Sequence, residues 1–340
     1  MLLGALLLSA AVAGALVLVD RLGAEKQQPQ PQAQAQPTWQ DSHPRVWPAD
    51  LIWPSERSFK ADQLDHLSHA PQVVFFGGSR SMRFEPSYVK ETTGLRAFNL
   101  AMVVGRPEDA WVFAHYIHER WPKTKLRWIW GIQNSTLGER PLEAGLIQDP
   151  RLNRYLPDAL LKEQGALLPQ TPDKVPKLSR ADGMRYARDG VVVWNKYDGE
   201  EAKGRTLARS LKIYIKRALQ KQQGEPGGAF EAPSRGREYF ERTIGYLNEI
   251  GVEPIFISMP IHPRVLKALL PGGWQAGHDR FLAYIDSLHG SYDFEFIDLS
   301  HIGSFGGDPD EFYDGVHIKF ANARKVIDKL VQTYPEQFAK

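Results

Sequence analysis

Cysteine is absent from the 340-residue chain, which excludes disulfides, thiolate metal sites and cysteine nucleophiles. Charge of one sign is lacking too. With 42 Lys plus Arg against 40 Asp plus Glu, the formal charge of +2 supplies no global field that would draw the chain onto nucleic acid. The one glycine turn that follows an apolar run, Gly77-Gly78-Ser79-Arg80, has neither the lysine of a P-loop nor the G-x-G-x-x-G spacing of a dinucleotide fold. No cofactor is expected. His66 with His69, and His115 with His118, stand at i, i+3 spacing, but without carboxylates at ligand spacing they do not define a metal site.

Long apolar runs are scarce, and the longest lies at the start. Leu2 to Val19 is uncharged over 18 residues, which as a helix spans roughly 27 Å against a hydrocarbon core of about 30 Å. A cleaved signal would carry a basic n-region, a shorter apolar stretch and a small-x-small site, so residues 1–22 are expected to be an uncleaved anchor, with a signal sequence as the alternative. The Gln/Pro/Ala tract Gln27 to Pro37 buries nothing, and residues 23–42 read as a tether. Residues 43–340 are then the folded domain. Its expected location is the periplasmic or outer face of the membrane, or the exterior if the leader is removed.

From Gln72 onward short apolar runs alternate with helical patterns, as parallel strands joined by crossover helices require. The expected strands are Val73–Phe76, Ala97–Asn99, Leu126–Trp130, Pro254–Ser258 and Phe294–Asp298. The expected helices are Pro107–Glu119, Arg235–Glu249, Asp279–Leu288 and Ala321–Gln332. Such a sheet carries helices on both faces and binds ligands beyond the carboxyl ends of its strands. About 100 residues, at about 135–234, exceed what a crossover needs and read as an inserted cap. In it, Arg205 to Lys221 is expected to be a helix. Arg209, Lys212, Lys216 and Arg217 line one side, either a solvated face or a contact for anionic glycan or lipid headgroups.

A serine at a sharp strand-to-helix turn stands at the sheet's carboxyl edge with backbone N–H groups beside it, and it needs a base. Ser79 has that position. Near the other end, in EFYDGVHIKFANA, Asp314 and His317 are separated by two residues around Gly315, so the carboxylate can hold one ring nitrogen while the other faces a hydroxyl. Arg80 and Arg83 flank the serine turn as candidate anion contacts, and His262 follows the fourth strand toward the same edge. Trp111, Trp121, Trp128 and Trp130 read as packing. Trp130 and Trp194 are the first to inspect as a sugar platform.

The Gly-Gly-Ser turn early in the domain, the parallel alternation and D-x-x-H before the last helix resemble the SGNH/GDSL hydrolase family over most of Val73 to Leu330, outside the insertion. The resemblance implies a three-layer α/β/α sandwich with a mostly parallel, five-stranded, flavodoxin-like sheet. It puts Ser79 on the nucleophile, Asp314 on the acid and His317 on the base. It also implies an oxyanion hole from the N–H groups of Ser79 and Gly105 and a side-chain amide. Asn99 keeps the second block in FNLAMVVGRPEDA. In the third block Gln133 stands at the family's asparagine and Asn134 one place later, and either amide could serve. Gly78 stands where the family name implies Asp.

The anchor, GGSR, N-L-x-x-x-x-G and F-Y-D-G-x-H look like the anchored branch that acylates cell-envelope polymers, such as the D-alanyl-transfer protein of teichoic acids and the alginate O-acetylation proteins. That branch implies an acylated polysaccharide substrate and a multi-pass membrane-bound O-acyltransferase as partner. A plain carbohydrate or lipid esterase, or a non-catalytic glycan-binding or scaffold module, are the alternatives.

Overall fold

The computed structural model describes residues 45–46, 56–166, 184–194, 206–224 and 233–340. The N-terminal apolar run, the Gln/Pro tether, Trp47 and Trp53 lie outside them. Among the described residues no helix is long and apolar enough to cross a membrane.

Five parallel strands form the main sheet: β2 (Val73–Gly77), β3 (Ala97–Asn99), β4 (Arg127–Ile132), β7 (Ile255–Ser258) and β8 (Glu295–Asp298). Their order is β3-β2-β4-β7-β8, and every neighbouring pair is parallel. This is the flavodoxin-like order, whose reversal between β2 and its two neighbours opens a crevice at the carboxyl edge. The strands read VVFFG, RWIWGI and IFIS because both faces are covered, so apolar residues need not alternate with polar ones. Alternation decides the face instead. Val74, Phe76, Trp128, Trp130 and Phe256 pack against α3 (Pro107–Arg120), α8 (Arg235–Glu249) and α10 (Trp274–Leu288). Val73, Phe75, Ile129 and Ile257 pack against α2 (Pro86–Thr93) and α11 (Phe320–Thr333).

Helix α10 begins at Trp274, five residues before the expected start at Asp279, because Gly273 adopts φ 83° and caps it. Before β2, α1 (Glu56–Asp65) supplies Arg57, a buried guanidinium. Its Nε and Nη2 donate to Asp109 at 3.0 and 2.9 Å, and Nη1 and Nη2 also donate to the carbonyls of Val103 and Val104 at 3.1 Å. These bonds hold Val104 at φ 52°, an unusual conformation for a β-branched residue, in the loop that leaves β3.

The segment between β4 and α8, read from sequence as a cap, returns twice to the sheet's carboxyl edge. Strands β5 (Met184–Ala187) and β6 (Val192–Trp194) form an antiparallel sheet with β1 (Arg45–Val46), in the order β1-β5-β6. Tyr186 and Val192 pack on Phe59, Met82 and Ala101, beside the loops that follow β2 and β3. Helix α7 (Leu207–Gly224) lays Leu211, Tyr214 and Ile215 on Ile261, Val265 and Leu266 of the loop after β7 and of α9 (Pro263–Leu269). Its basic side chains Arg209, Lys212, Lys216 and Arg217 are exposed, with Ile213 among them.

Candidate active site

Ser79 is presented by a turn that only a glycine backbone permits. Gly77, the last residue of β2, has φ +141°, and a Cβ there would lie 2.7 Å from the Gly131 carbonyl. The chain then reverses through a 3-10 turn, Ser79–Ser81, held from behind by Asn99. That fully buried amide donates to the carbonyls of Ser81 and Phe84 at 3.1 and 2.8 Å. Asn99 thus serves the site through the turn and does not reach a ligand.

The D-x-x-H segment folds into a tight bend just before α11. Asp314 Oδ1 accepts from the backbone N–H of Val316 at 2.9 Å and of His317 at 3.0 Å, and its two oxygens meet His317 Nδ1 at 3.0 and 2.8 Å. With Nδ1 carrying the proton for the carboxylate, Nε2 is left as the acceptor, and it stands 2.9 Å from Ser79 Oγ. Burial by itself would raise the Asp314 pKa. The ring and the two N–H groups outweigh it and hold the carboxyl well below the ordinary range. The two segments are 238 residues apart in the chain.

The residues expected around an oxyanion take differing positions. Gly105 comes close enough to the serine turn that a Cβ would overlap the Gly77 carbonyl, but its N–H donates to Met102 at 3.1 Å. It can serve an oxyanion only by giving up that bond. Gln133, at the exit of β4, has its Oε1 clamped by Arg80 Nη1, which turns its NH₂ end away from the guanidinium as a donor. Asn134 opens the next 3-10 turn, and its Oδ1 is buried without a partner.

Arg80 does not project toward solvent. Nη2 donates to the carbonyls of Met259, at 2.6 Å, and Pro260, so one half-buried side chain ties the exits of β2, β4 and β7 together. Desolvation lowers its pKa to about 10, and it stays cationic at neutral pH.

Two sequence expectations are corrected. Arg83 is 5% exposed and is not an anion contact in the crevice: Nη1 donates to Val192 at 2.6 Å, and the guanidinium lies 4.9 Å from the Tyr313 ring and 5.0 Å from that of Phe320. It fastens β6 to the D-x-x-H bend. His262 is buried and does not line the crevice. Its Nδ1 accepts from the Arg264 N–H at 3.1 Å as the cap of α9, its own N–H donates to Gly315 at 3.0 Å, and burial lowers its pKa. Trp128 and Trp130 are fully buried in the core. Trp194 ends β6, and its side chain lies outside the description.

A second serine, histidine and aspartate meet at the end of β8, unseen in the sequence. His278, on α10, places Nε2 2.9 Å from Asp298 Oδ2 and 3.4 Å from Ser300 Oγ. Burial opposes ionisation of Asp298, yet His278 and the Ser300 N–H and hydroxyl hold its pKa down at about 2. Both partners share one ring nitrogen, so the ring cannot take a proton from the serine on one side while the carboxylate holds the other.

Beside His278 lies a cavity of about 610 Å³. Its walls include Arg80 and Val316, the chain neighbours of Ser79 and His317, together with Gln133, Asn134, Tyr214, Trp274 and His278. Tyr214 packs so closely on the bend that a Cβ at Gly315 would meet its ring at 2.5 Å.

No family model and no curated protein matches the chain. Among solved structures it is similar to a Bacteroides fragilis NCTC 9343 protein described as a "putative acylhydrolase". The identity is 11% and the TM-score 0.38, over 84% of this chain and 98% of that one.

Proposed function

We propose that the chain is a membrane-anchored serine esterase or acyltransferase of the SGNH type, which removes or transfers acyl groups, O-acetyl foremost, on an extracytoplasmic polysaccharide. The observation that carries this reading is the ordered contact Ser79 Oγ to His317 Nε2, and His317 Nδ1 to Asp314. That order is what nucleophilic acyl transfer needs.

In the first step Ser79 Oγ attacks the ester carbonyl while its proton passes to His317 Nε2, and Asp314 stabilises the imidazolium. The charge that develops on the carbonyl oxygen is met by the Ser79 N–H, for which no acceptor is found among the described residues, and by the Gln133 amide. Collapse of this intermediate returns the proton from Nε2 to the leaving alcohol and leaves the acyl group on Ser79. In the second step a water or sugar hydroxyl gives its proton to Nε2 and attacks the acyl carbonyl, and that proton then passes to Ser79 Oγ as its ester bond breaks. The glycan, a multi-pass membrane-bound O-acyltransferase as donor-side partner, and anchoring through residues 1–22 belong to this proposal, on the sequence resemblance alone.

The test is fluorophosphonate labelling and aryl-acetate turnover of the detergent-solubilised full chain beside Ser79→Ala. Labelling and turnover by the native chain, both lost in the variant, are expected. A native chain that is neither labelled nor active removes the catalytic reading.

A further inference from the structure

The cavity lined by Arg80 and Val316 has the properties of a binding site. Its volume of about 610 Å³ falls within the roughly 300–1,000 Å³ of small-ligand pockets. Polar side chains form part of its wall, among them Arg80, Gln133 and Asn134. The half-buried Trp274, another residue of the wall, stacks its ring on His278, with centroids 4.6 Å apart and planes at 16°. His278 is itself fixed by Asp298, so the indole is held as a rigid apolar wall.

We infer that this cavity is the acceptor subsite for a pyranose ring, with Trp274 as its apolar platform and Arg80, Gln133 and Asn134 among its polar walls. A pyranose presents C–H groups on its faces and hydroxyls around its rim, which matches a cavity walled by both an aromatic ring and polar side chains. The inference rests on the acyl-transfer reading for its place in the reaction. Bound here, a sugar lies next to the chain neighbours of Ser79 and His317, where one of its hydroxyls can replace water in the second step.

Binding is tested apart from catalysis, by saturation-transfer NMR on the full chain carrying Ser79→Ala, with cellohexaose, chitohexaose and hexamannuronate as probes. At least one probe is expected to bind. Trp274→Ala in that background should weaken its binding about tenfold or more, and Trp274→Phe should recover most of the loss. Absence of binding by all three probes, or a Trp274→Phe and Trp274→Ala pair that both bind as the parent does, overturns the inference. Fluorophosphonate labelling of the native chain reports on the triad alone. Labelling without oligosaccharide binding removes the subsite and leaves the triad, and binding without labelling does the reverse.

Discussion

His317 and His278 each meet an aspartate, at 2.8 and 2.9 Å, and a serine, at 2.9 and 3.4 Å, yet the contacts are ordered differently. At His317 the carboxylate takes Nδ1 and the serine takes Nε2. At His278 both partners crowd Nε2. The first arrangement fixes a tautomer whose free lone pair faces a hydroxyl, whereas the second knots α10 to the end of β8 and stiffens the ring that carries Trp274. The same three residue types therefore do different work, and the deciding variable is which nitrogen each partner reaches.

The comparison can be broken most severely at the serine. Ser79→Ala and His317→Ala should each lower kcat/KM for 4-nitrophenyl acetate by about 10⁴-fold or more, since members of such a unit fail together. A His278→Ala chain that loses as much would erase the distinction. Next come the two carboxylates: Asp314→Asn should cost about 10⁴-fold in kcat and Asp298→Asn no more than about tenfold, measured with the same ester. Equal losses would mean that the β8 pair shares the chemistry.

Gln133→Ala should slow kcat about 10²-fold, close to 3 kcal/mol of barrier, if its amide meets the oxyanion. Arg80→Lys keeps the charge but loses the fork that clamps Gln133 and the two carbonyls, so an intermediate effect on kcat, with little on KM, is expected. A loss confined to KM would place both residues with the substrate and not with the transition state.

The smallest effect is on stability. Asp298 ionises more readily in the folded chain than in the unfolded one, with a folded pKa of about 2. Its contribution is complete above about pH 4 and fades as the pH falls toward 2, because the unfolded state then binds the proton first. Urea unfolding across that window should show a shallower acid loss in His278→Ala than in the parent. Parallel curves would show that His278 is not what lowers the Asp298 pKa.

Much of the sheet was legible because its causes are local. Runs such as VVFF and IFIS need burial on both faces, and the intervening helical patterns need crossovers, so five strands emerged within a residue or two of their ends. Helix α8 kept both of its expected ends, with Ser234 capping it. The β1-β5-β6 sheet was not legible. Its strands are two to four residues long, and β1 pairs with a segment about 140 residues away. Arg83 and His262 were assigned to the crevice because residue type and chain position suggest it. Their burial depends on where Val192 and Gly315 come to lie, which no local pattern encodes.

By itself the sequence determined a parallel α/β domain, a serine at a glycine turn and an Asp-x-x-His bend, because strand burial, positive φ at Gly77 and i, i+3 reach are properties of short stretches. Only the tertiary structure decided that Ser79 and His317 meet, that Arg80 clamps Gln133, and that His278 is held by Asp298 on one nitrogen. Each of these depends on hydrogen-bond distances between segments brought together by the packing of separate strands and helices, and such distances are set by the whole core.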